Sequence, residues 1–184
     1  MTHGTHTRLQ RLTTCAVFAA VLCLLSPITV LIGPIPFAMQ LFAVMLCAVT
    51  LDLATAQLSV FVYLMLGLFL PIFSKGNTGI SAIPGPTGGY IWSYLLMVPV
   101  IRLFRAIPAK SRWVECSLSM LGCVLAIAVC YLCGTLQYAL VTHNSFLASL
   151  SVCVVPFVGF DLLKAFAATL LGTALCRLLA RSRA

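Results

Sequence analysis

The chain has 184 residues, of which 62% are hydrophobic and only 8% are charged, and its mean hydropathy is +1.13. Soluble domains carry about 25% charged residues, so this composition excludes an ordinary soluble domain and predicts an integral membrane protein. A helix that crosses the hydrocarbon layer needs about 20 apolar residues, and the length therefore allows about six crossings without a separate soluble domain.

Six apolar runs follow one another and predict an all-α integral membrane protein, a compact bundle of six transmembrane helices in a single membrane domain, residues 1–184. The first run is about 21 residues long, which exceeds the apolar core of a secretory signal, and no small-x-small cleavage site follows it, so we expect a retained helix. The six predicted helices cover approximately residues 12–32, 37–55, 57–73, 88–104, 114–138 and 156–176.

The basic residues orient these helices. With the N-terminus in the cytoplasm, nine of the eleven basic residues lie on the cytoplasmic side, as the positive-inside rule requires. Lys75 falls outside and Lys164 lies within a span, so both termini are predicted to be cytoplasmic and the net charge of +8 needs no nucleic-acid partner. The nine cytoplasmic residues are Arg8, Arg11, Arg102, Arg105, Lys110, Arg112, Arg177, Arg181 and Arg183.

Within the first predicted helix, Ala16 and Ala20 lie four residues apart. Small residues at this spacing let another helix approach closely, and ordinary packing inside the bundle accounts for the pattern equally well.

Two predicted outer turns carry unusual chemistry. The first, residues 33–36, is short and stiff because proline fixes φ, and Gln40 follows it about one turn into the second helix. The second, residues 74–89, has five glycines in sixteen positions, and glycine lets the backbone approach a ligand closely. We expect this second turn to be either a lid or a plain flexible connection.

Nine cysteines are distributed along the chain, nearly all of them within apolar segments where cysteine acts as a small hydrophobe. Cys130 and Cys133 have C-x-x-C spacing, but the sequence supplies no second pair and no nearby histidine to complete a zinc site. No metal and no cofactor are predicted. The sequence also lacks the P-loop, the G-x-S-x-G elbow and the H-E-x-x-H pair, so we do not expect an enzyme.

Asp161 and Lys164 are the only acid and the only base well inside an apolar segment. Their i,i+3 spacing places both on one helix face, and each costs roughly 2.5–3.5 kcal/mol to insert at mid-membrane. This cost predicts a polar site that faces a cavity. If the last helix begins at Pro156, Asp161 lies about 7–8 Å and Lys164 about 12 Å below its outer end. A structural ion pair and a proton relay are the alternatives.

Three sequence blocks together resemble the BioY family, the biotin-specific substrate-binding subunits of bacterial energy-coupling factor (ECF) transporters. This chain departs from the family pattern between its second and third helices, where it has Asp52-Leu53-Ala54-Thr55-Ala56-Gln57, and at Phe160, where members often have glycine. The three blocks are Pro34-Ile35-Pro36-Phe37-Ala38-Met39-Gln40, Gly85-Pro86-Thr87-Gly88-Gly89-Tyr90, and Pro156-Phe157 with Asp161-Leu162-Leu163-Lys164.

The resemblance implies a six-helix protein of the bacterial cell membrane that captures biotin from outside. Uptake then depends on a transmembrane coupling subunit and two ATPase subunits, and the first helix, through Ala16 and Ala20, contacts the coupling subunit. Two rival functions are a proton-coupled or solitary carrier of biotin or another small carboxylate vitamin, and a membrane enzyme.

Biotin presents two ureido N–H donors, a ureido carbonyl, an apolar fused ring and a carboxylate. We expect Asp161 and Asn77 to bind the ureido group and Lys164 to neutralise the carboxylate through a charge-assisted bond. The remaining predicted contacts are Tyr90 over the ring, close backbone approach at Gly88 and Gly89, and a further polar contact from Gln40.

Overall fold

The computed structural model describes residues 3–31, 36–73 and 76–181. The predicted turn at 33–35, Lys75 and Arg183 lie outside these residues. Within them the chain forms the predicted all-α membrane bundle, in which six long helices are joined by two short helices and a small hairpin. The elements are α1 (His3–Leu25), β1 (Thr29–Leu31), β2 (Pro36–Ala38), α2 (Gln40–Thr50), α3 (Leu53–Phe69), α4 (Gly79–Ala82), α5 (Gly88–Arg105), α6 (Arg112–Thr142), α7 (Phe146–Cys153) and α8 (Val158–Arg181).

The first helix ends at Leu25, well before the predicted residue 32. Pro27 disfavours helical geometry at Ser26, which stops the helix although the sequence stays apolar. The residues beyond form β1, which pairs antiparallel with β2 so that Thr29 lies opposite Ala38. Hydropathy alone does not distinguish this hairpin from a helix end, because a short apolar strand and an apolar helix end have similar compositions.

The second predicted helix, residues 37–55, is also shorter in the structure. Its first part belongs to β2, and α2 comprises 11 residues, which rise about 16 Å, roughly half of the hydrocarbon layer. The helix stops before Asp52, which caps α3 by accepting from the backbone N–H of Thr55 at 3.1 Å. Among the residues that the structure describes, three helices are long and apolar enough to cross a membrane by themselves, within Arg8–Leu25, Arg112–Thr142 and Val158–Leu178.

The centre of the bundle is α2, which packs against α1, α3, α5 and α8. Nearly all of its side chains are buried, and Val44, Met45 and Val49 are fully so. Large apolar residues on the outer helices, such as Leu163 and Phe69, point outward, as expected of a surface that meets lipid. The buried α2 thus holds Gln40 at its N-terminus within the bundle.

A proline in α5 leaves one backbone carbonyl without its helical donor. Pro99 has no N–H, so the carbonyl of Leu95, four residues earlier, accepts no bond from within the helix. Gln57 of α3 donates to that carbonyl at 3.0 Å instead. This bond joins α3 to α5.

The cytoplasmic ends of α5, α6 and α8 are joined by ion pairs. Glu115 of α6 accepts from Arg105 at 2.9 Å and from Arg177 at 3.0 Å. Arg105 is only 9% exposed and also donates to Ser119 at 3.1 Å. Part of the cytoplasmic positive charge therefore has a structural role besides setting the topology.

Candidate functional site

A cavity of about 240 Å³ lies between α8, α6, the start of α5 and the segment that ends in β2. It is smaller than the roughly 300–1,000 Å³ of pockets for drug-sized ligands, and so suits a smaller molecule. Its wall is mostly aromatic and apolar, with a few polar groups that converge on it. The polar and aromatic lining residues include Gln40, Phe73, Asn77, Ser81, Thr87, Tyr90, Tyr94, Tyr131, Phe157, Asp161 and Lys164.

Five of the seven residues predicted to bind a ligand line this cavity. They come from four separate parts of the chain, which the fold brings together. They are Gln40, Asn77, Tyr90, Asp161 and Lys164.

Asp161 and Lys164 form a direct ion pair, with 2.9 Å between Lys164 Nζ and Asp161 Oδ1. Both residues are buried, at 5% and 7% exposure. Because α8 begins at Val158 instead of Pro156, they lie about 4.5 and 9 Å along the axis from its first residue, nearer its outer end than predicted. Asp161 is in the first turn, where the helix dipole favours a negative charge.

Each member of the pair has a further partner. The Tyr131 hydroxyl of α6 donates to Asp161 Oδ2 at 2.5 Å, so both carboxylate oxygens accept a bond. Lys164 Nζ also donates to the carbonyl of Ala38 at 2.7 Å, which ties the end of β2 to α8. The charges are therefore held by three elements in fixed positions at the cavity wall.

Sequence reasoning missed Tyr131 and the Ala38 carbonyl. A tyrosine deep in an apolar helix needs a partner for its hydroxyl, and this was the available signal for Tyr131. The C-x-x-C spacing of Cys130 and Cys133 points to the two cysteines and not to the tyrosine between them. The contact at Ala38 is made by its backbone carbonyl, so the type of side chain at this position gives no indication of it.

Gln40 is 2% exposed and links the cavity to the interior. Its Nε2 donates to the Tyr63 hydroxyl, which in turn is 2.7 Å from Ser26 Oγ. These bonds join the turn after α1 to α2 and α3. Asn77, by contrast, is exposed at the cavity margin, where its backbone carbonyl accepts from the N–H of Phe73 at 3.2 Å.

Gly88 and Gly89 are not among the residues that line the cavity, and their close approach to a ligand stays a prediction. A Cβ on Gly88 would overlap the Ile83 carbonyl, and one on Gly89 would overlap the Cys133 carbonyl. These glycines instead let the start of α5 lie directly against α6 and the preceding loop. Gly134 of α6 similarly leaves room for the Tyr90 ring.

Replacing Gly89 with alanine is therefore expected to destabilise the fold by about 1–3 kcal/mol, because α5 must move away from α6. Thermal unfolding in detergent measures the change. Gly159→Ala is the control, since a Cβ there has nothing within 4 Å and alanine favours the helix. Equal melting temperatures for the two variants would contradict this packing role.

The two alanines of the first helix lie on its outward face. Ala16 and Ala20 are exposed, whereas Cys15, Ala19 and Leu22 face the bundle and are buried. The small-residue pattern is thus available to a partner outside the chain.

Known proteins resemble this chain in sequence and in fold. The BioY family profile matches residues 1–181. Biotin transporter BioY2 of Lactococcus lactis is 31% identical over 184 residues, which cover 96% of either chain. Biotin transporter BioY of Thermotoga maritima is 32% identical over 171 residues, or 92% of this chain and 98% of the relative. The fold matches a 2.1 Å crystal structure of the S-component for biotin from an ECF-type ABC transporter, with a TM-score of 0.82, 23% identity and coverage of 96% and 95%.

Proposed function

The chain belongs to the BioY family, and from this membership we propose that it binds biotin from the outer side of the membrane and delivers it for uptake. In this role it is the substrate-specific subunit of an ECF-type transporter. Its relatives are transporters, and it is accordingly a transport protein and not an enzyme.

The observation that carries the proposal is the buried Asp161–Lys164 pair in the wall of a cavity of small-molecule size. Removing one member of a buried pair costs about 3–5 kcal/mol, whereas an apolar pair of similar volume is often as stable. Stability alone therefore does not account for the pair. A ligand that carries both a hydrogen-bond donor and a negative charge can bind both Asp161 and Lys164.

Biotin meets this requirement. Asp161 accepts an N–H bond from the ureido group, with Asn77 as a second polar contact, and Lys164 leaves Asp161 Oδ1, 2.9 Å away, to neutralise the carboxylate at the other end of the ligand. The Tyr131 hydroxyl keeps the Asp161 carboxylate in place when Lys164 turns to the ligand. Tyr90 covers the fused ring on one side of the cavity, and Gln40 contributes a polar edge at its base.

Uptake requires partners. A transmembrane coupling subunit receives the outward face of α1 at Ala16 and Ala20, and two ATPase subunits supply the energy. The exposure of both alanines supports this assignment. A ligand or partner can shift the protein between two conformations only if it binds them with different affinities. ATP hydrolysis must therefore act on this chain through its contacts with the partner subunits.

Equilibrium titration of the purified protein with biotin tests the function. We expect saturable binding at a one-to-one ratio at micromolar biotin or below. Leu163→Ala serves as the control variant, because Leu163 neighbours the pair but is 65% exposed on the lipid side. Failure of the unmodified protein to bind micromolar biotin would overturn the proposal.

A further inference from the structure

One side chain of α6, Gln137, joins the outer loop to the bundle. Its Nε2 donates to the backbone carbonyls of Ile83 at 2.6 Å and Gly85 at 2.9 Å. Its Oε1 accepts from the indole N–H of Trp92 at 3.1 Å. A single amide therefore binds the loop before α5 and the second turn of α5 together.

The chemistry of the three partners suits an amide and no other side chain of this size. The two carbonyls accept only, and the indole donates only, so the partners need two N–H donors and one oxygen acceptor on the same group. A glutamate at this position places a second oxygen against the carbonyls, and a leucine leaves all three groups without a partner.

The adjoining glycine makes room for this arrangement. A Cβ on Gly88 would lie 2.5 Å from Gln137 Nε2 and would overlap the Ile83 carbonyl. The loop itself is short and internally bonded, with the N–H of Gly85 on the Ala82 carbonyl and that of Gly88 on the Gly85 carbonyl, both at 3.2 Å. Gln137 thus fixes a segment that has little freedom of its own.

The fixed segment is part of the cavity. Gly85, Pro86 and Thr87 all line it, and α5 begins directly afterwards, so the same segment sets the position of Tyr90. Gln137 itself does not line the cavity. Any effect of Gln137 on a ligand must therefore pass through residues 83–87.

We propose that Gln137 is a positioning residue for the ligand site, which holds residues 83–87 as a fixed wall of the cavity instead of a movable lid. The inference rests on the proposed binding of biotin. It differs from the lid expected for the whole glycine-rich turn, because the second half of that turn is bonded to α6.

The test compares Gln137→Leu with Gln57→Leu. Both glutamines donate from a helix to the backbone of another segment, but Gln57 reaches the Leu95 carbonyl of α5, and neither Gln57 nor Leu95 lines the cavity. We expect Gln137→Leu to raise the biotin Kd about tenfold, mostly through faster dissociation, as the loss of bonds to two carbonyls implies. Gln57→Leu should leave the Kd within about twofold and lower the melting temperature less, because only the Leu95 carbonyl then loses its partner.

Hydrogen exchange on the unmodified protein gives a second, independent measurement. The amides of Gly85 and Gly88 should exchange slowly both without and with biotin, and faster in Gln137→Leu. Fast exchange without biotin would overturn the fixed wall even if the variant failed to fold. An equal rise in dissociation rate for both glutamine variants would also overturn the proposal. If the unmodified protein binds no biotin but the amides of Gly85 and Gly88 exchange slowly, the proposed function is contradicted and the fixed wall is supported.

Discussion

Replacing Lys164 with methionine is expected to raise the Kd for biotin about a hundredfold or more, since both a charge-assisted bond to the ligand and the partner of Asp161 are lost. The Kd for biotin amide, which lacks the carboxylate charge, should rise about tenfold less. Isothermal titration of both ligands measures the difference. Equal losses for biotin and its amide would remove the assignment of the carboxylate to Lys164.

A double variant separates binding from folding at the same pair. Asp161→Asn and Lys164→Met are each expected to destabilise the fold by about 3–5 kcal/mol, because each leaves a buried partner uncompensated. In the double variant most of this stability should return, since neither charge then remains. Biotin binding should stay lost in all three. If the double variant binds biotin like the unmodified protein, the pair is only structural.

The two charged residues of this site were predictable from the sequence because they violate the energetics of their surroundings. An acid and a base within an apolar helix imply a cavity, whatever the fold around them. No such energetic cost marks Asn77, Tyr90 or Gln40. Their residue types are also found in ordinary turns and helix ends. Gln40 and Tyr90 stand in sequence blocks that resemble a family, and Asn77 was predicted as a partner for the ureido group of biotin.

The remaining contacts depend on tertiary structure, and apart from a tyrosine hydroxyl that needs a partner they have no local signal in the sequence. Tyr131 meets Asp161 across 30 positions of the chain, and Lys164 meets the Ala38 carbonyl across 126. The glycines at 88 and 89 were assigned to the ligand because glycine permits close approach, but sequence does not show what approaches. In the fold, α6 and the loop before α5 lie against these two glycines. The helix end at Leu25 depends on Pro27, and the end at Thr50 depends on Asp52, which caps the next helix. The length of an apolar run shows neither effect.

Placing leucine at both Ala16 and Ala20 is expected to lower biotin uptake in cells more than about tenfold while leaving the Kd of the purified protein within about twofold. The reason is geometric. Both alanines lie on the outward face of α1, so the larger side chains displace nothing inside the chain but prevent another helix from approaching closely. Radiolabelled uptake and equilibrium binding measure the two effects separately.

Ala174→Leu is the matched control, because Ala174 is an exposed alanine on α8, a helix that packs against α2 and α6. Uptake should be unaffected by it. If the α1 variant takes up biotin normally, the coupling subunit does not dock at these alanines. Uptake that persists in cells without the ATPase partners and stops with a protonophore would instead identify a proton-coupled carrier. Loss of binding together with uptake would show that the two leucines disturb α1 itself, and with it the Ser26–Tyr63–Gln40 bonds beneath the cavity.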